Sequence, residues 1–270
     1  MNANYQSLRA MPIEALRATI RAGDYTSHTA GLGAGLLQAN LAIMPERHAL
    51  DFMRFCQRNP KPCPLTGVSD TGNPMMVTLG RDIDIRHDVP AYNIYRDGLL
   101  TESMTDIAAL WQDDFVVFAL GCSFTFENAL EQVGISLWHI QNNTTVPMYR
   151  TNIETTPAGP FCGPMVVSMR MIDPARLEEV QTICRRYPLA HGAPVHCGDP
   201  AEIGIVDIGA PDWGDPVPDE VGKIPVFWAC GVTPQAAVAR ARLPICITHK
   251  PGHMLITDIA EDAEVPVFRP

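Results

Sequence analysis

Long apolar runs are missing from this chain of 270 residues. None approaches the roughly 20 residues that cross a bilayer, so no membrane-spanning helix is expected. Met1 to Arg21 lacks the apolar core and small-residue cleavage site of a secretory signal. That stretch reads instead as a helix, with Leu8, Met11, Ala15, Leu16 and Ile20 on one face. Basic charge is also scarce: 20 Lys and Arg stand against 30 Asp and Glu. A net charge of −10 argues against a nucleic-acid backbone as the main partner, since that role needs clustered Lys and Arg. It leaves room for a local Arg-lined site that binds a small anion. Eight cysteines are present, but no two form a Cys-x-x-Cys pair. Several lie inside apolar strands, so reduced cysteines in a cytoplasmic protein are expected. The glycine-rich stretch Thr29 to Gly35 is not followed by Gly-Lys-Ser/Thr, and no P-loop is supported.

What the chain does have is a globular composition, 46% hydrophobic and 19% charged, with length enough for one large domain or two modest ones. Twice an apolar strand runs into a small-residue turn and then a helix start, and both turns carry a cysteine. Phe115 to Leu120 leads through Gly121-Cys122-Ser123 into Phe124-Thr125-Phe126-Glu127, and Val226 to Ala229 leads through Cys230-Gly231 into Val232-Thr233-Pro234-Gln235. Two such units imply an α/β fold with a largely parallel, mixed sheet flanked by helices. Residues 1–134 and 191–270 are expected to form the main domain. A β-β-α block over 135–190 would be a smaller inserted α+β domain, its helix starting at Asp173-Pro174. Asp97-Gly98 fits a hairpin turn.

A strand-to-helix junction leaves backbone N–H groups unpartnered and carries a partial positive charge, so it can hold a carboxylate. Two junctions therefore point to a small acidic ligand held at both ends, through Cys122, Ser123, Gly231 and Thr233. The alternative is that both are ordinary units of a packed sheet. Arg150, at a strand end beside Asn152, is a natural clamp for a carboxylate, or else the partner of a structural Asp. The loop His191 to Pro200 gathers His191, His196 and Asp199, which can divide acid and base roles or ligate a divalent metal. It is equally a structural loop whose imidazoles bond carbonyls. A second loop, Thr248 to His253, adds His249 and His253. Glu127 is a candidate base or the far end of a capping box. Cys122 and Cys230 could be nucleophiles, but packing roles fit cysteines at strand ends as well.

These residues carry a resemblance. Gly121 to Glu127, Val146 to Ile153, Gly163 to Arg170, His191 to Pro200 and Val226 to Gln235 closely resemble the D-glutamate cyclase family, whose bacterial members are often called hydro-lyases. Thr29 to Gly31, Gln38 to Leu41, Asp51 to Pro64 and Asp82 to Arg86 extend the resemblance over nearly the whole chain. It implies conversion of D-glutamate to 5-oxo-D-proline and water, with no firmly assigned catalytic residues to carry across. One departure is Trp138-His139-Ile140-Gln141, where the family usually shows Arg-His followed by acidic residues.

Three functions follow as expectations. The first is an enzyme closing a small amino dicarboxylate into a ring, with no cofactor. His191, His196, Asp199 and Glu127 would be its acid/base candidates; Arg150, Asn152, the two junctions, His249 and His253 would bind substrate. The second is a metal-assisted hydratase or lyase on a hydroxy- or oxo-acid. The third is a non-catalytic amino-acid-binding protein. The Gly/Pro loops also admit a homo-oligomer interface.

Overall fold

In the computed structural model, residues 5–264 and 266–268 are described. The helix expected from Met1 is broken at Pro12 into α1 (Tyr5–Arg9) and α2 (Ile13–Arg21), which bury Leu8, Leu16 and Ile20; residues 1–4 of that expectation lie outside the described residues. Then come β1 (Leu36–Pro45), α3 (Glu46–Arg58), β2 (Leu65–Val68), β3 (Tyr92–Arg96), β4 (Leu99–Met104) and β5 (Phe115–Gly121). Helices α4 (Phe124–Gln132) and α5 (Trp138–Gln141) precede β6 (Met148–Glu154), β7 (Pro164–Ile172) and α6 (Leu177–Arg185). The chain ends with β8 (His196–Cys197), β9 (Ile224–Ala229), α7 (Val232–Ala241), β10 (Cys246–His249) and β11 (Leu255–Ala260).

The strands form two sheets, and the expectation of a largely parallel sheet is overturned. One sheet runs β2-β5-β1-β10-β3-β4, with β11 also paired to β1; the other runs β6-β7-β9-β8. Every strand pair is antiparallel. The fold is mixed α/β built on two antiparallel sheets. Two physical reasons explain the difference. A strand apolar at every position usually signals a parallel sheet covered on both faces. Here β5 is buried throughout because Phe115, Val117 and Ala119 enter one core while Val116, Phe118 and Leu120 enter another, on the opposite face of an antiparallel sheet. Moreover, neither strand-to-helix unit returns to its own sheet. After α4 the chain passes to β6 in the second sheet, and after α7 it passes to β10 in the first. Each half lends its helix to the crossing between sheets.

Local expectations fare better. Asp97 and Gly98 both take positive φ, 50° and 81°, as a tight turn between β3 and β4 requires. Asp173 accepts a hydrogen bond from the Ala175 amide, and α6 then buries Val180 and Cys184.

Candidate functional site

The two junctions are built alike. The Cys122 amide donates to the Gln38 carbonyl (2.9 Å) while the Gln38 amide donates to Thr125 Oγ1 (3.0 Å). The Cys230 amide donates to the Val166 carbonyl (3.0 Å) while the Val166 amide donates to Thr233 Oγ1 (2.9 Å). The thiols stand at the helix starts, immediately before α4 and α7. Burial pushes the Cys122 thiol up to about 12 and the Cys230 thiol up to about 11, so both stay protonated at neutral pH. Ser123 and Thr233 are buried as well. The junctions meet across Asn40, whose Nδ2 donates to the carbonyls of Leu120 (3.2 Å) and Gly121 (2.8 Å). A Cβ on Gly231 would lie 2.1 Å from the Asn40 amide, so glycine is the residue that lets the second junction approach.

From this meeting point each helix reaches the opposite sheet. Glu127 on α4 accepts at Oε1 from His139 Nε2 (2.9 Å) and from Arg170, a β7 residue, through Nε (3.1 Å) and Nη2. Arg170 also donates to Ser123 Oγ (2.9 Å) and Ser168 Oγ (3.0 Å), and lies over the rings of Phe126 and Trp228. Burial raises the Glu127 carboxyl, but the His139 and Arg170 charges outweigh it and hold the carboxyl below its usual range. On the other side, Gln235 of α7 places its amide nitrogen 3.0 Å from Nδ1 and 2.9 Å from Nε2 of His249, a β10 residue. The Leu41 amide donates to His249 Nδ1 (3.0 Å), and burial lowers this imidazole to about 3, leaving it neutral.

Gln235 connects that interior to a surface cleft of about 260 Å³. Arg150, Arg240, Tyr95 and Trp213 line it together with Val166 of β7 and Val232 and Gln235 of α7. Two guanidinium groups therefore line one small concavity. Arg150 spends Nη1 on Asp212 Oδ1 (2.6 Å) and stacks over Trp213, 4.5 Å from the ring centroid; its side chain is 58% exposed. Arg240 is exposed in the last turn of α7. The cleft is narrower than the ~300–1,000 Å³ of sites for drug-sized ligands, which suits a compound of a few carbons.

Among the residues singled out from sequence, Arg150 lines this cleft, while Cys122, Ser123, Gly231 and Thr233 are buried in the junctions outside its lining and His249 meets it only through Gln235. Glu127 lines a different, smaller pocket. His191 is buried with a left-handed φ of 72°; its Nδ1 donates to the Lys61 carbonyl (2.8 Å), its Nε2 has no partner, and burial lowers it to about 4. His196 Nε2 donates to the backbone carbonyl of Asp199 (2.7 Å), and Asp199 caps the Ala201 amide (2.9 Å), both beside the outer strand β8. Asn152 stands exposed on β6. His253 Nδ1 donates to the Pro251 carbonyl (2.9 Å), and burial lowers it to about 4. Among the described residues, no group of three or more His, Cys, Asp or Glu side chains is arranged to hold a metal ion.

Sequence reasoning missed Arg170 and Arg240. The first was findable as a charge inside an otherwise apolar strand, which must meet a buried acid. The second stands four and eight residues after Ala236 and Val232, on one face of α7.

The D-glutamate cyclase family model matches residues 116–258. A protein of Dinoroseobacter shibae described as "Putative hydro-lyase" is 71% identical over 98% of this chain and 89% of its own length. A relative in Ruegeria pomeroyi with the same description is 68% identical, covering 99% of this chain and 97% of its own. A nitrogen repressor-like protein of Methanococcus jannaschii overlays 86% of this chain and 89% of its own at a TM-score of 0.36 and 9% identity, a likeness too weak to bear on the fold.

Proposed function

The chain belongs to the D-glutamate cyclase family, and from that premise we propose that it is a hydro-lyase closing D-glutamate to 5-oxo-D-proline and water in the cleft beside α7. The observation that carries this reading is the pair of guanidiniums, Arg150 and Arg240, lining one small concavity. A molecule with a carboxylate at each end matches two such forks, and Arg150 keeps Nε and Nη2 for a ligand while Nη1 holds Asp212.

The reaction forms one C–N bond and breaks one C–O bond. Two protons leave the substrate's ammonium nitrogen and depart with the side-chain oxygen as water, so charge is conserved. Arg150 and Arg240 would fold the substrate by drawing its two carboxylates to one cleft, bringing nitrogen against the distal carboxyl carbon; such positioning is a large part of the acceleration of a ring closure. Asp212, the carboxylate that Arg150 holds at the edge of this cleft, would take the first proton. Gln235, fixed against His249, would donate to the oxyanion formed as nitrogen attacks.

Purified protein incubated with D-glutamate should form 5-oxoproline, followed by proton NMR. Arg150→Ala and Arg240→Ala should each lower kcat/KM by roughly 10- to 100-fold, the value of one charge-assisted hydrogen bond, with kcat falling as well as KM rising. No product from D-glutamate or any small amino dicarboxylate would overturn the assignment.

A further inference from the structure

We propose that a second, smaller pocket between the glycine-rich loop and α4 is a binding site for a small monovalent cation of the potassium or ammonium type. Its volume is about 20 Å³, enough for one water-sized particle and too little for an amino acid. Gln38 and Glu127 both line it, at 2% and 1% exposure, and each brings an oxygen with no hydrogen-bond partner, Oε1 and Oε2 respectively.

Both orientations are fixed by what the other atoms do. Gln38 Nε2 donates to the carbonyls of Leu32 (2.9 Å) and Thr29 (3.2 Å), so turning the amide over would set its oxygen against two carbonyl oxygens. His139 and Arg170 converge on Glu127 Oε1 and leave Oε2 with its lone pairs unused. Leaving two buried acceptors unpaired is costly, so a particle that satisfies both is expected there.

Charge decides which particle. Three carboxylates, Glu127, Glu131 and Glu261, line the cavity against two guanidiniums, Arg170 bonded to Glu127 and Arg9 bonded to Glu131 at 3.3 Å, which leaves one acid in excess. Asn128 donates to Glu261 (3.3 Å) rather than toward the void. A water would satisfy both oxygens but bring lone pairs of its own, and the unpartnered buried side-chain atoms of the lining are acceptors only. A cation has no lone pairs to satisfy and offsets the acidic excess. Neither the cleft nor the ring-closing step enters this reasoning, so the site stands or falls separately from the proposed activity.

Thermal unfolding of the full chain at constant ionic strength tests it with potassium, ammonium, sodium and choline chlorides. Potassium or ammonium should raise Tm saturably, by roughly 5–10 °C at a hundredfold excess over Kd, while choline, too large for the void, should not. Gln38→Met should abolish the cation-specific shift. Because that variant also unties the glycine-rich loop, crystals of the unaltered protein soaked in thallous ion supply a second readout. An anomalous peak between Gln38 Oε1 and Glu127 Oε2 supports the site. Identical Tm in all four salts, or water-strength density with no anomalous signal, overturns it.

Discussion

Three imidazoles carry most of the acid response of this protein, with buried His28 lowered by burial in the same direction. His191 and His253 are lowered to about 4 and His249 to about 3, in each case chiefly because burial disfavours the charged ring. An unfolded histidine takes up its proton near pH 6.5, while these three stay neutral in the fold until much lower pH. Their contribution is therefore complete above about pH 6.5 and is lost as pH falls toward the folded values. At pH 5 each should cost up to about 2 kcal/mol. The depressed Glu127 carboxyl acts in the same direction only once pH falls below the ordinary carboxylate range. Urea unfolding at pH 7.5 and pH 5 should show a clear drop in midpoint; equal midpoints would mean these rings titrate as exposed ones do. At this scale the sequence was partly legible. Arg150 could be singled out because a guanidinium at a strand end between polar residues invites a ligand. Arg170 was hidden because its partner, Glu127, is 43 residues away and reads locally as a cap. The histidine-rich loops were visible as loops, but which imidazole is buried depends on contacts such as His191 to Lys61, 130 residues distant.

At the level of elements, runs and turns were readable while their pairing was not. The apolar run of β5, the Asp97-Gly98 turn and the Asp173 cap follow from local chemistry. Strand direction depends on where the chain goes after each helix, and no residue in α4 or α7 encodes that destination locally. The close approach of elements leaves its mark in glycine. At the end of β5, Gly121 has the Leu189 carbonyl so near that an added Cβ would sit 1.5 Å from its oxygen. That atom is backbone in the turn leading to His191, so it cannot swing aside. Gly121→Ala should therefore fall at or beyond the upper end of the ~1–3 kcal/mol typical of overpacking. Gly209→Ala is the natural control, since its Cβ would meet only the Asp207 side chain at 3.2 Å. Urea midpoints that fall equally for the two variants would show that the turn yields.

For the whole molecule, the exchange of helices between sheets has a consequence for cooperativity. Glu127 hangs from the strand-to-helix unit of the first sheet and is bonded to Arg170 in the second. Gln235 hangs from the second and is bonded to His249 in the first. Asn40, Gly121 and Gly231 close the gap between them. Opening either sheet alone would strip Arg170 of its buried carboxylate or Glu127 of its guanidinium, and an unpaired buried charge costs about 3–5 kcal/mol. It would also expose the Phe126 and Trp228 faces on which Arg170 lies. A partly opened state is thus penalised from both sides, and the two sheets should unfold together. Native-state hydrogen exchange followed by mass spectrometry reads this in the unaltered protein. Peptides covering β1 and β5 and those covering β7 and β9 should exchange through one opening, with free energies within about 1 kcal/mol of each other and the same dependence on denaturant. If either set exchanges well before the other, the crossed pairs do not couple the halves, and the two sheets would have to be treated as separate folding units.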